Sequence, residues 1–287
     1  MKKILVLSGK GGTGKTTISS ALIKLYKINA FADCDVDAPN LHLLFNDFTD
    51  YEESNYFGLK KAVINQEKCI LCGLCLEKCR FDAIKYDKRY SILLHDCEGC
   101  GVCEYVCPAQ AISMNQYVNG YLRLYKNEVV FSTATLKMGS GTTGMLVTKV
   151  KKQLFDNVSE KEIACIIDGS PGIGCPVIAS LSGVDYALLV TEPSISGISD
   201  LKRIVKVSKS FNTKIMVCIN RYDENEEITK RIKDYCNEEN IFVVGEIPFD
   251  SKVIEYLNMG KSFIDFDGKA SIATKNMFEI IIKNVGI

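Results

Sequence analysis

The chain has 287 residues, of which 47% are hydrophobic and 24% charged, a balance typical of a folded globular protein and not of a disordered one. Lys plus Arg and Asp plus Glu number 35 each, so the net charge is zero and gives no argument for DNA or an anionic membrane as the main partner. No apolar run reaches the ~20 residues of a membrane span, and the apolar part of the opening is too short for a signal peptide, so we expect a cytoplasmic protein.

Short aliphatic runs followed by helix-compatible stretches recur along the chain. The first run, Ile4–Leu7, is followed by a glycine-rich loop and by apolar residues at helical spacing within residues 15–27. The later runs are Ile28–Ala32, Ile163–Ile167, Tyr186–Val190, Ile215–Ile219 and Ile241–Val244, and helix-compatible stretches include Ile198–Ser208 and Glu226–Cys236. This alternation predicts an α/β fold with a mostly parallel sheet and helices on both faces. Residues 121–133 are interpreted instead as a hairpin that turns at Lys126-Asn127.

A phosphate-binding loop follows the first predicted strand. Residues 9–16 read GKGGTGKT, a complete G-x-x-x-x-G-K-[ST] pattern in which the glycines allow backbone N–H groups to surround phosphate oxygens. Lys15 would place a cation on the β- and γ-phosphates, and the Thr16 hydroxyl would ligate Mg²⁺. The residues predicted to bind the nucleotide here are Gly9, Lys10, Gly11, Gly12, Thr13, Gly14, Lys15, Thr16 and Thr17.

The loop contains another lysine, Lys10, in addition to Lys15, and this residue points to a known family. The stretch KGGTGKTT resembles the deviant phosphate loop (deviant Walker A) of the MinD/ParA/Mrp and nitrogenase-iron-protein group of ATPases, which are SIMIBI-type P-loop NTPases. The resemblance implies that two subunits form a homodimer on binding ATP and that Lys10 reaches the partner's phosphates, as a cation supplied in trans to the transition state. It also implies Mg²⁺-dependent ATP hydrolysis that is slow and stimulated by a partner.

Two acidic segments extend the resemblance. Residues 33–41, DCDVDAPNL, are similar to the family's first switch, and the match gives Asp35 the catalytic position beside Lys10 and Lys15. A solvated turn would also explain three alternating acids at a strand end. Residues 168–172, DGSPG, are similar to the Walker B aspartate and second switch, which implies that Asp168 binds Mg²⁺ through its water shell and that the N–H of Gly172 senses the γ-phosphate.

Weaker matches concern the nucleotide base. Asn220 is similar to the family's adenine-contacting asparagine, and Pro248 and Asp250 resemble the loop that closes over the base. An ordinary turn at the end of a strand explains these residues about as well.

Eight of the 13 cysteines lie between residues 69 and 107, in two copies of C-x₂-C-x₂-C-x₃-C. A reducing cytosol argues against disulfides and for metal binding. Three thiolates spaced by two residues wrap one face of a cubane cluster, and the fourth lies too far along the chain to bind the same one. We therefore predict two [4Fe–4S] clusters, one held by Cys69, Cys72, Cys75 and Cys107 and the other by Cys97, Cys100, Cys103 and Cys79.

The double pattern resembles bacterial two-cluster ferredoxin, with Arg80 where proline commonly follows the fourth cysteine and Pro108 in the second copy. Zinc is the alternative metal, although zinc sites usually pair C-x₂-C units across a longer gap. The resulting division is a P-loop ATPase domain in two parts, residues 1–61 and 116–287, with a small α+β ferredoxin-like domain, residues 62–115, inserted between them.

The other cysteines and the C-terminal stretch are interpreted as structural. We expect Cys175 to be a small buried residue behind the second switch, with a cluster shared between two subunits as the alternative. The remaining four cysteines are assigned to the core: Cys34, Cys165, Cys218 and Cys236. The apolar face of Thr274–Val285, formed by Met277, Ile280, Ile281 and Val285, is expected to pack on the domain and not on a membrane.

The leading hypothesis is an ATP-binding and ATP-hydrolysing dimeric switch coupled to two [4Fe–4S] clusters, acting in electron delivery or in iron–sulfur or metallocofactor assembly. Its cofactors would be ATP, Mg²⁺ and the two clusters, and its partner a redox or metallocofactor-bearing protein; we do not expect nucleic acid or membrane. The alternatives are a MinD/ParA-like positioning or partition ATPase, and an electron carrier whose nucleotide site gates docking. The sequence names neither the acceptor nor the cluster potentials.

Overall fold

The computed structural model describes residues 1–45 and 50–287. The strands are β1 (Lys2–Leu7), β2 (Ala30–Asp33), β3 (Glu52–Phe57), β4 (Lys61–Ile64), β5 (Ile84–Asp87), β6 (Arg89–Ile92), β7 (Ile112–Asn115), β8 (Val118–Lys126), β9 (Val130–Leu136), β10 (Ala164–Asp168), β11 (Tyr186–Thr191), β12 (Lys214–Asn220) and β13 (Phe242–Ile247). The α-helices are α1 (Lys15–Tyr26), α2 (Leu74–Lys78), α3 (Val102–Tyr105), α4 (Thr143–Asn157), α5 (Cys175–Leu181), α6 (Ile195–Lys209), α7 (Glu226–Glu238), α8 (Ser251–Asn258) and α9 (Lys269–Val285).

The large sheet of the described residues has the strand order β13-β12-β11-β1-β10-β2-β9-β8-β3. All neighbours from β13 to β9 pair in parallel, and only β8 runs in the opposite direction, antiparallel to both β9 and β3. The prediction of an α/β fold with a mostly parallel sheet is confirmed. So is the hairpin of residues 121–133, which is formed by β8 and β9 with its turn after Lys126.

Helices cover both faces of the sheet because its central strands are aliphatic on both sides. One face buries side chains of α4, α5, α6 and α7. The opposite face buries side chains of α1 and α9, among them Ile18 and Met277. This arrangement brings the carboxyl ends of β1, β2 and β10 to one edge, the usual place for a ligand in an open α/β sheet.

The C-terminal helix α9 packs on the sheet as predicted, but its buried face differs from the expected one. Met277, Ile281 and Val285 are buried, whereas Ile280 is 39% exposed and Phe278 takes its place in the core. A side chain at Gly245 on β13 would lie 2.5 Å from Met277, so this glycine permits the close approach of helix and strand. Within the described ranges, none of the helices combines the length and apolarity needed to cross a bilayer.

The segment from β4 to β7 forms two small antiparallel sheets of its own, β4–β7 and β5–β6, together with α2 and α3. Its core is small, and two of its members are cysteines of the quartets. The buried residues are Ala62, Cys75, Ala83, Ile84, Tyr90, Cys97 and Ile112. Because so few apolar side chains are buried, the hydrophobic contribution to the stability of this segment is small. We therefore expect the segment to need an additional source of stability.

Candidate functional site

The loop between β1 and α1 lies at the carboxyl edge of the sheet. Gly12 and Gly14 have φ angles of 82° and 90°, which residues with a Cβ rarely adopt, and Gly14 precedes the first turn of α1. This loop forms the floor of an open cavity. The cavity is lined by Ser8, Gly11, Gly12, Gly14, Lys15, Thr16, Thr17, Asp35, Asn40, Pro171 and Arg221. The predicted phosphate loop and both acidic segments therefore meet at one place.

Asp168, the last residue of β10, is the centre of a buried polar cluster behind this loop. Its carboxylate is fully buried and lies 2.8 Å from the ammonium of Lys15. The hydroxyl of Thr16 donates to one carboxylate oxygen and that of Ser19 to the other, each at 2.7 Å. These are charge-assisted bonds in a site from which water is excluded. The cluster holds the Lys15 ammonium and the Thr16 hydroxyl beside the cavity.

Asp33, at the end of β2, organises the neighbouring loop. Its buried carboxylate accepts backbone N–H bonds from Asp35, Asn40 and Leu41, each at 3.0 Å. Burial, reinforced by the nearby Asp168 carboxylate, raises the pKa of Asp33 to about 7. Asp35 instead lines the cavity, and burial raises its pKa. The structure thus separates a carboxylate that shapes the loop from one that faces the ligand space.

Lys10 does not point into its own phosphate cavity. Its ammonium lies 2.7 Å from a carboxylate oxygen of Glu192 and donates to the hydroxyls of Ser196, at 2.8 Å, and Ser194, at 3.3 Å. These partners lie at the end of β11 and the start of α6. Lys10 is therefore held by contacts within its own chain in this structure.

Gly172 has φ 93°, and its N–H donates to the carbonyl of Ser8 at 2.9 Å. The N–H that the resemblance assigns to the γ-phosphate is therefore engaged within the protein in this structure. Its neighbour Pro171 lines the phosphate cavity. A γ-phosphate would have to break the Ser8 bond to recruit this N–H.

A second cavity adjoins the phosphate loop. Asn220, Pro248 and Asp250 all line it, and its other walls are largely apolar, with Phe249, Val253 and Ile254 among them. The Asn220 amide donates to the carbonyl of Thr13 at 2.8 Å, which leaves its oxygen as an acceptor. A planar, partly apolar base fits such a cavity.

The cysteines of the two quartets line two separate small cavities. Cys69, Cys72, Cys75 and Cys107 line the first. Cys79, Cys97, Cys100 and Cys103 line the second. Each cavity thus combines three cysteines of one quartet with the last cysteine of the other. Among the described residues, no three His, Cys, Asp or Glu side chains converge in the way that a single metal ion requires.

The five other cysteines divide into two kinds. Cys34, Cys165, Cys218 and Cys236 have no exposed surface, so their assignment to the core is confirmed. The expectation that Cys175 is buried is wrong. It is exposed at the first position of α5, where Gly174 caps the helix.

The sequence patterns above did not identify three residues of this site, Ser19, Arg221 and Glu192. Ser19 lies four residues after Lys15, so helical spacing could have placed both on the face of α1 that meets β10. Arg221 lines both the phosphate cavity and the second cavity, and it directly follows Asn220. No local pattern connects Glu192 with Lys10, since the two are distant in sequence and meet only in the folded sheet.

Comparison with known proteins finds a nucleotide-binding family and related MinD proteins. The family described as "CobQ/CobB/MinD/ParA nucleotide binding domain" matches residues 4–263. An uncharacterised protein of Methanocaldococcus jannaschii is 35% identical over 282 residues, covering 96% of this chain and 95% of that protein. The septum site-determining protein MinD of Bacillus subtilis is 26% identical over 289 residues, covering 97% and 88% respectively. The solved structure of MinD complexed with Mg-ADP from Pyrococcus horikoshii has a TM-score of 0.58 at 20% identity, covering 99% of this chain and 97% of that one.

Proposed function

The chain belongs to the CobQ/CobB/MinD/ParA nucleotide-binding family, and we propose that it is an ATP-hydrolysing dimeric switch coupled to two [4Fe–4S] clusters. ATP binding would join two subunits, and hydrolysis would release them. The clusters would serve electron delivery or the assembly of a metallocofactor on a partner protein.

The polar cluster at Asp168 supports the nucleotide half of this proposal. Phosphates entering the cavity would meet the Lys15 ammonium, and Mg²⁺ would find the Thr16 hydroxyl with Asp168 behind it. Asp35 lies on the cavity wall, where it would orient the attacking water. Lys10 would leave Glu192 and reach the phosphates of the partner subunit.

The observation that carries the cluster half is the composition of the two cysteine cavities. Each is lined by four cysteines in the crossed combination that a two-cluster arrangement requires. A cubane keeps its four ligand sulfurs farther apart than a single tetrahedral zinc ion does, because each sulfur binds a different iron. Each cavity presents the four thiols that one [4Fe–4S] cluster would need. The backbone N–H of Ala111 also lies 3.2 Å from the Cys107 sulfur, where it would donate to a ligating thiolate.

Anaerobic purification followed by iron and sulfide analysis tests the cluster half. We expect about eight irons and eight sulfides per chain, as two [4Fe–4S] clusters require, and an EPR signal on reduction with dithionite. Cys72→Ser and Cys100→Ser, one in each cavity, should each perturb one cluster. A protein that stays colourless under these conditions, or that contains stoichiometric zinc instead of iron, would refute it.

Steady-state phosphate release tests the nucleotide half separately. Lys15→Ala should abolish turnover while leaving the iron content unchanged, because Lys15 is remote from both cysteine cavities. Lys152→Ala, an exposed lysine on α4, is the matched control. Normal hydrolysis by the Lys15 variant would contradict the assignment.

A second candidate is a positioning or partition ATPase. The likeness to the septum site-determining protein MinD of Bacillus subtilis favours it. ATP-dependent co-sedimentation with DNA or with anionic liposomes, retained in an iron-free Cys72→Ser/Cys100→Ser variant, would establish this function over the first.

A further inference from the structure

Three lysines of the described residues are buried. Lys15 pairs with Asp168, and Lys151 donates to three carbonyls at the carboxyl end of α5. The third, Lys61, is only 3% exposed and is the first residue of β4. It forms no ion pair within the described part of the chain. A buried ammonium is costly unless its surroundings compensate its charge, so the position of Lys61 calls for a physical reason.

The Lys61 ammonium joins two parts of the molecule. It donates to the carbonyl of Cys97 and to the carbonyl of Gly139, the latter at 3.2 Å. Cys97 lines the second cysteine cavity. Gly139 belongs to residues 137–142, which connect β9 to α4 and are called the junction loop below. One buried cation thus bridges a cysteine of the second quartet and a loop of the ATPase sheet.

The junction loop touches the cysteine-rich segment through its own backbone. A side chain at Gly139, where φ is 73°, would collide with the backbone of His95. A side chain at Gly141 would lie 2.8 Å from the carboxylate of Glu98, which lines the second cavity. Movement of this loop toward residues 95–98 would therefore push against them, because the two segments are already in close contact.

The other side of the junction loop touches the nucleotide site. Leu136, just before the loop, donates its N–H to the carbonyl of Val36 at 2.9 Å, and Val36 directly follows Asp35 on the phosphate cavity. Just after the loop, Gly144 packs against Cys175, which begins the helix that follows residues 168–172. The residues that flank this loop therefore contact the first acidic segment at Val36 and the start of the helix that follows the second acidic segment, at Cys175.

We propose that Lys61 transmits nucleotide-dependent movement of the junction loop to the cluster site of Cys79, Cys97, Cys100 and Cys103, so that ATP changes the reduction potential of that cluster and not of the other. The proposal rests on the proposed function, since it needs both clusters. The carbonyl oxygen and sulfur of Cys97 are four bonds apart, and thus at most about 5 Å from each other. A cation held there favours the more negative, reduced cluster. Neither cavity is lined by a lysine, and among the described residues Lys61 is the only lysine that donates to the backbone carbonyl of a cysteine in either quartet.

An EPR-monitored redox titration of the full chain, with dithionite as the one-electron donor, tests this proposal. In the native protein, a non-hydrolysable ATP analogue with Mg²⁺ should shift the midpoint of one cluster, which Cys100→Ser assigns. In Lys61→Met that midpoint should start lower and no longer respond to the analogue, while the other cluster stays unchanged. Lys61→Arg should restore part of the response, and Lys85→Met, an exposed lysine on β5, should behave as native.

The two proposals fail in distinguishable ways. A native protein without iron defeats the proposed function and this inference together. A native protein with two clusters, in which Lys61→Met leaves both midpoints and the nucleotide response unchanged, defeats only the inference. A nucleotide shift confined to the cluster of Cys69, Cys72, Cys75 and Cys107 would overturn it as well. Iron content and circular dichroism of Lys61→Met show whether the variant is folded and loaded, and Lys61→Gln replaces it if it is not.

Discussion

Replacing Asp168 by Asn removes one negative charge from the most buried part of the nucleotide site. The shape of the side chain is kept, and one oxygen can still accept a bond from Thr16 or Ser19. The ammonium of Lys15, 2.8 Å away and nearly inaccessible to water, loses its countercharge. The substitution therefore isolates the contribution of charge from that of packing.

The expected cost follows from this burial. Removing one partner of a buried ion pair typically lowers the free energy of unfolding by about 3–5 kcal/mol, because the remaining charge is left uncompensated. At roughly 2–4 °C per kcal/mol, the nucleotide-free Asp168→Asn protein should melt ~6–20 °C below the native protein. Phosphates supply the missing negative charge, so ATP without Mg²⁺ should raise the melting temperature of the variant more than that of the native protein.

Differential scanning fluorimetry with and without ATP, in EDTA and in Mg²⁺, measures both effects. Asp156→Asn, an exposed position on α4, is the control and should melt within about 1 °C of the native protein. A variant as stable as the native protein without nucleotide would show that the Lys15–Asp168 pair contributes nothing. An equal gain from ATP in both proteins would refute the view that phosphates replace the carboxylate.

Three further outcomes are expected. Glu192→Gln releases Lys10 from a partly buried ion pair worth about 1 kcal/mol. The ATP-dependent dimer should therefore tighten about fivefold or more in analytical ultracentrifugation, and unchanged or weaker association would contradict this. Gly139→Ala forces a Cβ into the backbone of His95 at a φ of 73°, so the unfolding free energy should fall by about 1–3 kcal/mol in urea titrations. Gly183→Ala, at the same φ of 73° but with open space around the Cβ, adds the backbone strain without the collision and should lose less stability. Burial lowers the pKa of Lys151 to about 8; the unfolded chain then binds more protons between pH 8 and 10.5, so this residue makes stability rise with pH across that window, a slope that Lys151→Met should lack.

Many features of the site are formed by residues that lie close together in the sequence, and these features could be predicted from the sequence. The phosphate loop occupies consecutive residues whose glycines fix the backbone, and the strand before it and the helix after it are set by their own apolar spacing. The same holds for the spacing of each cysteine quartet, which limits how many thiolates can face one cluster. The parallel sheet followed from aliphatic runs that alternate with helices.

Other features depended on contacts between distant parts of the chain. The partner of Lys10 is Glu192 because β1 and β11 lie side by side in the sheet, an order that no local pattern specifies. Ile280 is exposed, contrary to the prediction, and Phe278 is buried, because the packing of α9 against β13, and not the helical repeat alone, decides which side chains reach the core. The same is true of Cys175, whose exposure depends on how the chain enters α5.

The sequence by itself therefore determined which chemical groups the protein carries: a phosphate loop, two acidic segments and two cysteine quartets, each defined by residues close together in the chain. Only the tertiary structure decided how these groups are connected. The junction loop, the buried Lys61 and the resting contacts of Lys10 arise where strands and loops far apart in sequence pack together, and the free energy of that packing is shared among many residues that no short motif contains.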